Sequence, residues 1–123
     1  MALAAGEIDA AEISAGTLHY RLWSVRQNDA TRRCGIPIDV PFGGLNDFHV
    51  YGVDHQPTYV RFLLDGRVKA TITKSQMLTK GCTWPFDRTF HIVLSNRAGG
   101  FGGQPDPAQF PVTTYVDWVR HSN

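Results

Sequence analysis

Asp65-Gly66 stands between two runs of β-forming residues, Tyr59-Val60-Arg61-Phe62-Leu63-Leu64 and residues 67–73, and this pair constrains the fold more than any other stretch of the chain. Asp-Gly tolerates the positive φ that a two-residue hairpin turn requires, so the flanking runs are set to pair antiparallel. Further strands are expected at 17–23, 48–53, 90–94 and 113–120, with a turn at Gln56-Pro57-Thr58. The polar, Gly- and Pro-punctuated stretch 27–44 reads as a loop, as does 99–111; residues 74–80 hold a helical turn at most, ended by Gly81. Short strands at regular spacing without long helical patterns predict an all-β protein, an antiparallel β-sandwich.

The 123 residues fit one domain, 1–123, of ordinary soluble composition. Twelve Lys and Arg against eleven Asp and Glu give a net charge of +1, and Arg32-Arg33 is the only adjacent basic pair. That scatter argues against a nucleic-acid partner or an anionic membrane surface. No run approaches the roughly 20 apolar residues that cross a bilayer. Met1-Ala2-Leu3-Ala4-Ala5 is too short, and lacks the charged lead, to be a secretion signal. Cys34 and Cys82 pair in an oxidising compartment or remain as reduced, packed thiols; their spacing does not decide.

Three acids lie in Gly6-Glu7-Ile8-Asp9-Ala10-Ala11-Glu12. On a strand Glu7 and Asp9 share one face, and Glu12 joins them only if one residue is extra. A bulge at Ala10-Ala11 supplies it, placing the acids in a row toward solvent with Ile8 and Ile13 on the opposite, apolar face. A retaining glycosidase needs two carboxyl groups about 5–5.5 Å apart, which requires both glutamates to lean inward across the shortened path. The alanines also suit a short amphipathic helix with solvated acids, and propensity alone favours that alternative.

In order along the chain, four blocks resemble glycoside hydrolase family 16, a β-jelly-roll group that includes endo-β-1,3-glucanases. Gly6-Glu7-Ile8-Asp9-Ala10-Ala11-Glu12 resembles the bulged catalytic strand. Asp47-Phe48-His49-Val50-Tyr51-Gly52-Val53-Asp54, with Val60-Arg61-Phe62 and Asp65-Gly66, resembles the strand pair and hairpin that follow. Trp84-Pro85-Phe86-Asp87-Arg88-Thr89-Phe90, running on to Gly99-Gly100, is similar to the next strand and glycine loop, and Phe110-Pro111 with Val116-Asp117-Trp118-Val119-Arg120 to the last strand. The resemblance implies an antiparallel sandwich of the concanavalin-like jelly-roll type. It is incomplete here, because the family's portion before the catalytic strand is missing and the chain looks like a C-terminal half. It implies double displacement on a β-glucan or galactan: Glu7 as nucleophile, Asp9 as the assisting acid that orients it, Glu12 as the acid/base that arrives protonated. The bulge points to the laminarinase-like branch and β-1,3-glucan. No cofactor is required, secretion or a periplasmic location is implied, and open sheet edges invite self-association.

Aromatic rings stack on sugars, so Tyr20, Trp23, Trp84 and Phe101 are candidate platforms, while Trp118 alternates with core positions. His19 and His49 lie on expected strands, where His19 is a candidate substrate contact. Asp117 matches a family aspartate that in some members helps bind structural calcium, with other ligands from the absent portion. His55 stands where the family usually has Trp, and Ser95-Asn96-Arg97 departs from the usual residues before the glycine pair. These departures set a catalytically impaired, sugar-binding remnant against the hydrolase, with transglycosylation a third reading.

Overall fold

The computed structural model describes residues 3–44 and 46–122, with the side chains of Leu3 and Phe101 outside the described set. The chain divides into two units, 1–90 and 91–123.

The first unit is a two-layered sandwich. One antiparallel sheet has the order β1 (Glu7–Ser14), β2 (Thr17–Arg26), β3 (Asp29–Pro41), and the other β4 (Tyr51–Gln56), β5 (Tyr59–Leu64), β6 (Arg67–Thr73). Two of the hairpins turn through left-handed residue pairs, Ala15-Gly16 at φ 46° and 75° and Asp65-Gly66 at φ 51° and 75°. Positive φ at both central residues matches the right-handed twist of the strands they join. Alternation along β2 does the sorting: Leu18, Tyr20, Leu22 and Ser24 are buried on one face. That face meets Val60 and Phe62 of β5 and Ala70 and Ile72 of β6 in a single core, where the Tyr20 and Phe62 rings stack with centroids 4.9 Å apart. Trp84 and Phe86 extend the core, and the Trp84 indole N–H donates to the Pro57 carbonyl at 2.9 Å.

A short helix α1 (Lys74–Thr79) follows β6. It starts at a reciprocal cap, in which the Thr73 hydroxyl accepts from the Gln76 N–H while the Gln76 side chain accepts from the Thr73 N–H. It stops where Gly81 takes φ 82°, with the Gly81 N–H bonded to Leu78 O and the Cys82 N–H to Met77 O. The reversal lays 81–83 along the end of β2 and brings Cys82 to Cys34 of β3 as a disulfide, Cα to Cα 5.3 Å, which decides the pairing that spacing left open.

The stretch 27–44 is largely strand, not loop. Its apolar residues alternate as Cys34, Ile36, Ile38 and Val40, and all four pack on the core. Pro37 and Pro41 are tolerated because β3 is an edge strand, where a missing N–H need not break a ladder. The strand expected at 48–53 begins at Tyr51 instead and continues to Gln56, because Gln56 pairs with Tyr59 across the turn and so sets the register. Phe48 and Val50 fall outside the strand and are exposed. Asp65 holds that entry, accepting from the Val50 N–H at 3.0 Å and pairing with His49 Nδ1 at 2.8 Å, so His49 serves a turn.

The strands expected at 90–94 and 113–120 do not form; apart from Phe90, which packs on the core of the first unit, both segments belong to the second. A strand persists only with a neighbour to take its backbone hydrogen bonds. Among the described residues the Thr114 hydroxyl donates to Asn96 Oδ1, just beyond the first segment, at 2.7 Å, and no ladder joins the two segments. Ile92, Val93, Leu94, Tyr115, Val116, Trp118 and Val119 are exposed, so Trp118 is not a packing residue here.

Candidate active site

The site is built by one irregularity. Asp9 lies opposite Arg21 and Glu12 opposite His19, so Ala10 and Ala11 on β1 together face the single residue Tyr20 on β2. That is a β-bulge, and it restores Glu12 to the face of Glu7 and Asp9. The helical alternative for this segment is excluded from Glu7 onward; only Leu3–Ala5 forms a single 3-10 turn. Gly6 leads into the strand at φ 85°, pressed so closely on the Pro85-Phe86 segment that a Cβ would stand 2.8 Å from Pro85 Cγ and 2.9 Å from Phe86 Cε1. The approach of β1 to the core, and hence the position of Glu7, is fixed at that contact.

Register then extends the row across the sheet. Glu7, Asp9 and Glu12 face Trp23, Arg21 and His19 on β2, and these face Gly35, Pro37 and Asp39 on β3. The surface is acidic along one strand and basic or aromatic along the next. Burial pushes the Asp9 carboxyl up from its ordinary 3.8 to about 7; the charges of Glu7 and Glu12 add to the rise, and Arg33 and Arg21 oppose it. Glu7 Oε2 is buried without a hydrogen-bond partner among the described residues, and the Arg33 guanidinium lies 3.9 Å from it.

At the Glu12 end, His19 joins a chain of polar contacts, Nε2 to Ser14 Oγ at 2.8 Å and Nδ1 to Asp39 Oδ1 at 2.8 Å. The connectivity is that of a nucleophilic triad, but Arg21 neutralises the carboxylate that would support the ring as a base. Arg21 reaches Asp39 Oδ1 at 2.5 Å and His19 Nδ1 at 3.0 Å. The Asp39 carboxylate only accepts, so the His19 Nδ1–H donates to it and Nε2 accepts from the Ser14 hydroxyl, while the Arg21 guanidinium pairs with the same carboxylate oxygen. Hydrogen bonds from His19 and then Arg21 hold the Asp39 carboxyl below its usual range. The group is a charged floor beside Glu12.

Of the expected platforms, Trp23 stands on this face, whereas Tyr20 and Trp84 do not. Tyr20 follows the opposite parity on β2 and is fully buried against Phe62, and Trp84 packs its ring edge-on against Phe86. Both belong to the core, Tyr20 by its parity on β2 and Trp84 by its packing with Phe86. The Phe101 side chain lies outside the described residues. Asp117 is exposed, and among the described residues no three His, Cys, Asp or Glu side chains are grouped to hold a metal ion. Arg21 was legible in the alternation of β2, while Arg33 and Asp39 were hidden by reading β3 as loop.

The model of glycosyl hydrolases family 16 matches residues 4–120. The chain belongs to this family. Among curated relatives of this family 16 chain, a β-glucanase of Rhodothermus marinus is 32% identical over 94% of the chain and 43% of its own length, and a glucan endo-1,3-beta-glucosidase A1 of Niallia circulans is 29% identical over 95% and 19%. The chain thus spans less than half the length of these relatives. The laminarinase catalytic domain of Thermotoga maritima superposes with a TM-score of 0.58 at 20% identity, covering 84% of this chain and 43% of that one. The endo-1,3-beta-glucanase domain of Thermotoga petrophila superposes at 0.51 with 23% identity, over 67% and 34%. The antiparallel sandwich expected from the sequence is the fold these structures share.

Proposed function

We propose that residues 1–123 form a single partial family 16 catalytic domain that hydrolyses internal β-1,3-glucan bonds with retention. The bulge between Asp9 and Glu12 carries the reading, because it turns three carboxyl groups to one face of a sheet that also presents a tryptophan and two fixed cations. Relatives named as β-glucanase and endo-1,3-beta-glucosidase support the substrate class. Glu7 attacks the anomeric carbon; Glu12 gives its proton to the leaving oxygen, then takes one from water as the glycosyl-enzyme is cleaved. Asp9, with its raised affinity for a proton, donates a hydrogen bond to the Glu7 carboxylate before attack. His19 holds the floor beside Glu12 through Ser14 and Asp39. The reaction takes no cofactor, calcium enters no step, and a polysaccharide is the partner. A location outside the cytoplasm suits such a substrate and the Cys34–Cys82 disulfide. The edge strands, β1 and β3 in one sheet and β4 and β6 in the other, offer backbone groups for self-association.

Release of reducing ends from a soluble β-1,3-glucan, lost in Glu7→Gln, is the expected result; equal release by the variant overturns the assignment. The exposed apolar segments of the second unit favour a second reading, a sugar-binding remnant without turnover. It predicts heat of binding to β-glucan with no new reducing ends, and absence of binding in calorimetry eliminates it.

A further inference from the structure

The carboxylate row has a counter-charge that neither the family match nor the sequence motif assigns. Arg33 leaves β3 on the same face as Gly35, Pro37 and Asp39, and its guanidinium stacks 4.4 Å from the centre of the Trp23 ring. The ring occupies the space that a side chain at 35 would fill: a Cβ there would stand 2.3 Å from Trp23 Cε3 and 2.2 Å from Leu22 O. Glycine at 35 therefore lets the indole lie across β3, and the indole in turn gives Arg33 a flat surface to rest on. From that brace the guanidinium reaches toward Glu7 Oε2 at 3.9 Å, beyond hydrogen-bond range and within ion-pair range.

We propose that Arg33, braced on Trp23 over Gly35, is a positioning residue that supplies the counter-charge of the Glu7, Asp9 and Glu12 row. Three carboxyl groups on one strand repel one another when ionised, and a fixed cation offsets that repulsion at the Glu7 end of the row. Stacking matters because a free arginine at a half-exposed position spends its time in solvent, whereas a planar guanidinium on an indole face is held in one place. The other charged and titratable groups facing the row are Arg21 and His19 from β2 and Asp39 from β3. From β4 on the opposite layer, Asp54 is engaged by Gln56, Tyr59 and Arg61, and His55 by the Phe86 carbonyl. Arg21 is committed to Asp39, so Arg33 is the cation whose removal the row should register.

The test is the titration of the Asp9 carboxyl, followed by carbon-13 NMR, since Asp9 lies between the two glutamates and feels Arg33 directly. Arg33→Met and Trp23→Leu are expected to move its midpoint upward from the wild-type value, and Arg33→Lys to return it toward that value. An unchanged midpoint in Arg33→Met overturns the proposal; an unchanged midpoint in Trp23→Leu alone overturns the brace. The inference rests on the proposed function for its catalytic meaning, and the two fail separately. If the midpoints move but the wild-type protein releases no reducing ends, the hydrolase reading falls and the counter-charge stands. If wild-type turnover occurs and the midpoints do not move, the reverse holds.

Discussion

Replacing Asp9 by asparagine should stabilise the fold at alkaline pH while impairing function. The carboxyl is pushed from 3.8 to about 7 on folding, chiefly by burial and then by the charges of Glu7 and Glu12. For an acid with a raised folded value, the unfolded chain ionises first, so folded-state stability declines as pH rises. Below about pH 4 the group is protonated in both states and costs nothing; between 3.8 and about 7 the penalty grows; above that it is constant. The full gap corresponds to about 4 kcal/mol, and partial exposure to solvent reduces this to roughly 2 kcal/mol. Asn has the same shape and no charge, so Asp9→Asn should unfold in urea with a free energy about 2 kcal/mol above wild type at pH 8 and equal to it near pH 4. Release of reducing ends should fall in the same variant. A stability difference that is the same at both pH values would refute the reasoning, because it would show that the asparagine acts by packing and not by removing a penalised charge.

Other perturbations reach the remaining parts of the account. The Cys34–Cys82 bridge closes a separation of 48 residues, for which chain entropy gives about 4 kcal/mol, so the double alanine variant should lose about that much in urea unfolding. Gly6→Ala meets both a positive φ and the Pro85 and Phe86 side chains, and a loss of roughly 2 kcal/mol in thermal unfolding is expected. Deleting Ala11 removes the extra residue of β1; the strand must then turn either Glu12 or the pair Glu7 and Asp9 toward the core, and turnover should vanish while circular dichroism reports a weakened β fold.

Where the sequence spoke through local chemistry, it was legible. Asp65-Gly66 announced its hairpin because few residue pairs tolerate that backbone, and the β5 and β6 ends fall where the pattern puts them. The bulge was readable because three acids and two isoleucines sort to separate faces only with one extra residue between Asp9 and Glu12. Strand β3 was not, since Gly35, Pro37 and Asp39 are loop residues by propensity; their reasons are tertiary, a ring over Gly35, a sheet edge at Pro37 and a buried histidine bonded to Asp39. Tyr20 and Trp84 show the same limit from the other side, because an aromatic near a catalytic motif looks alike in sequence whether it points into a groove or the core. The segments 90–94 and 113–120 carry strand-forming side chains, yet a strand is a property of two chains and propensity describes one.

The most direct test of the central claim is to incubate the protein with a slow-reacting fluorinated laminari-oligosaccharide glycoside and sequence the labelled peptide by mass spectrometry. A sugar attached to Glu7, with the β configuration retained in products of an ordinary substrate, is the predicted result. Turnover with inverted configuration, or label on any other residue, would contradict it.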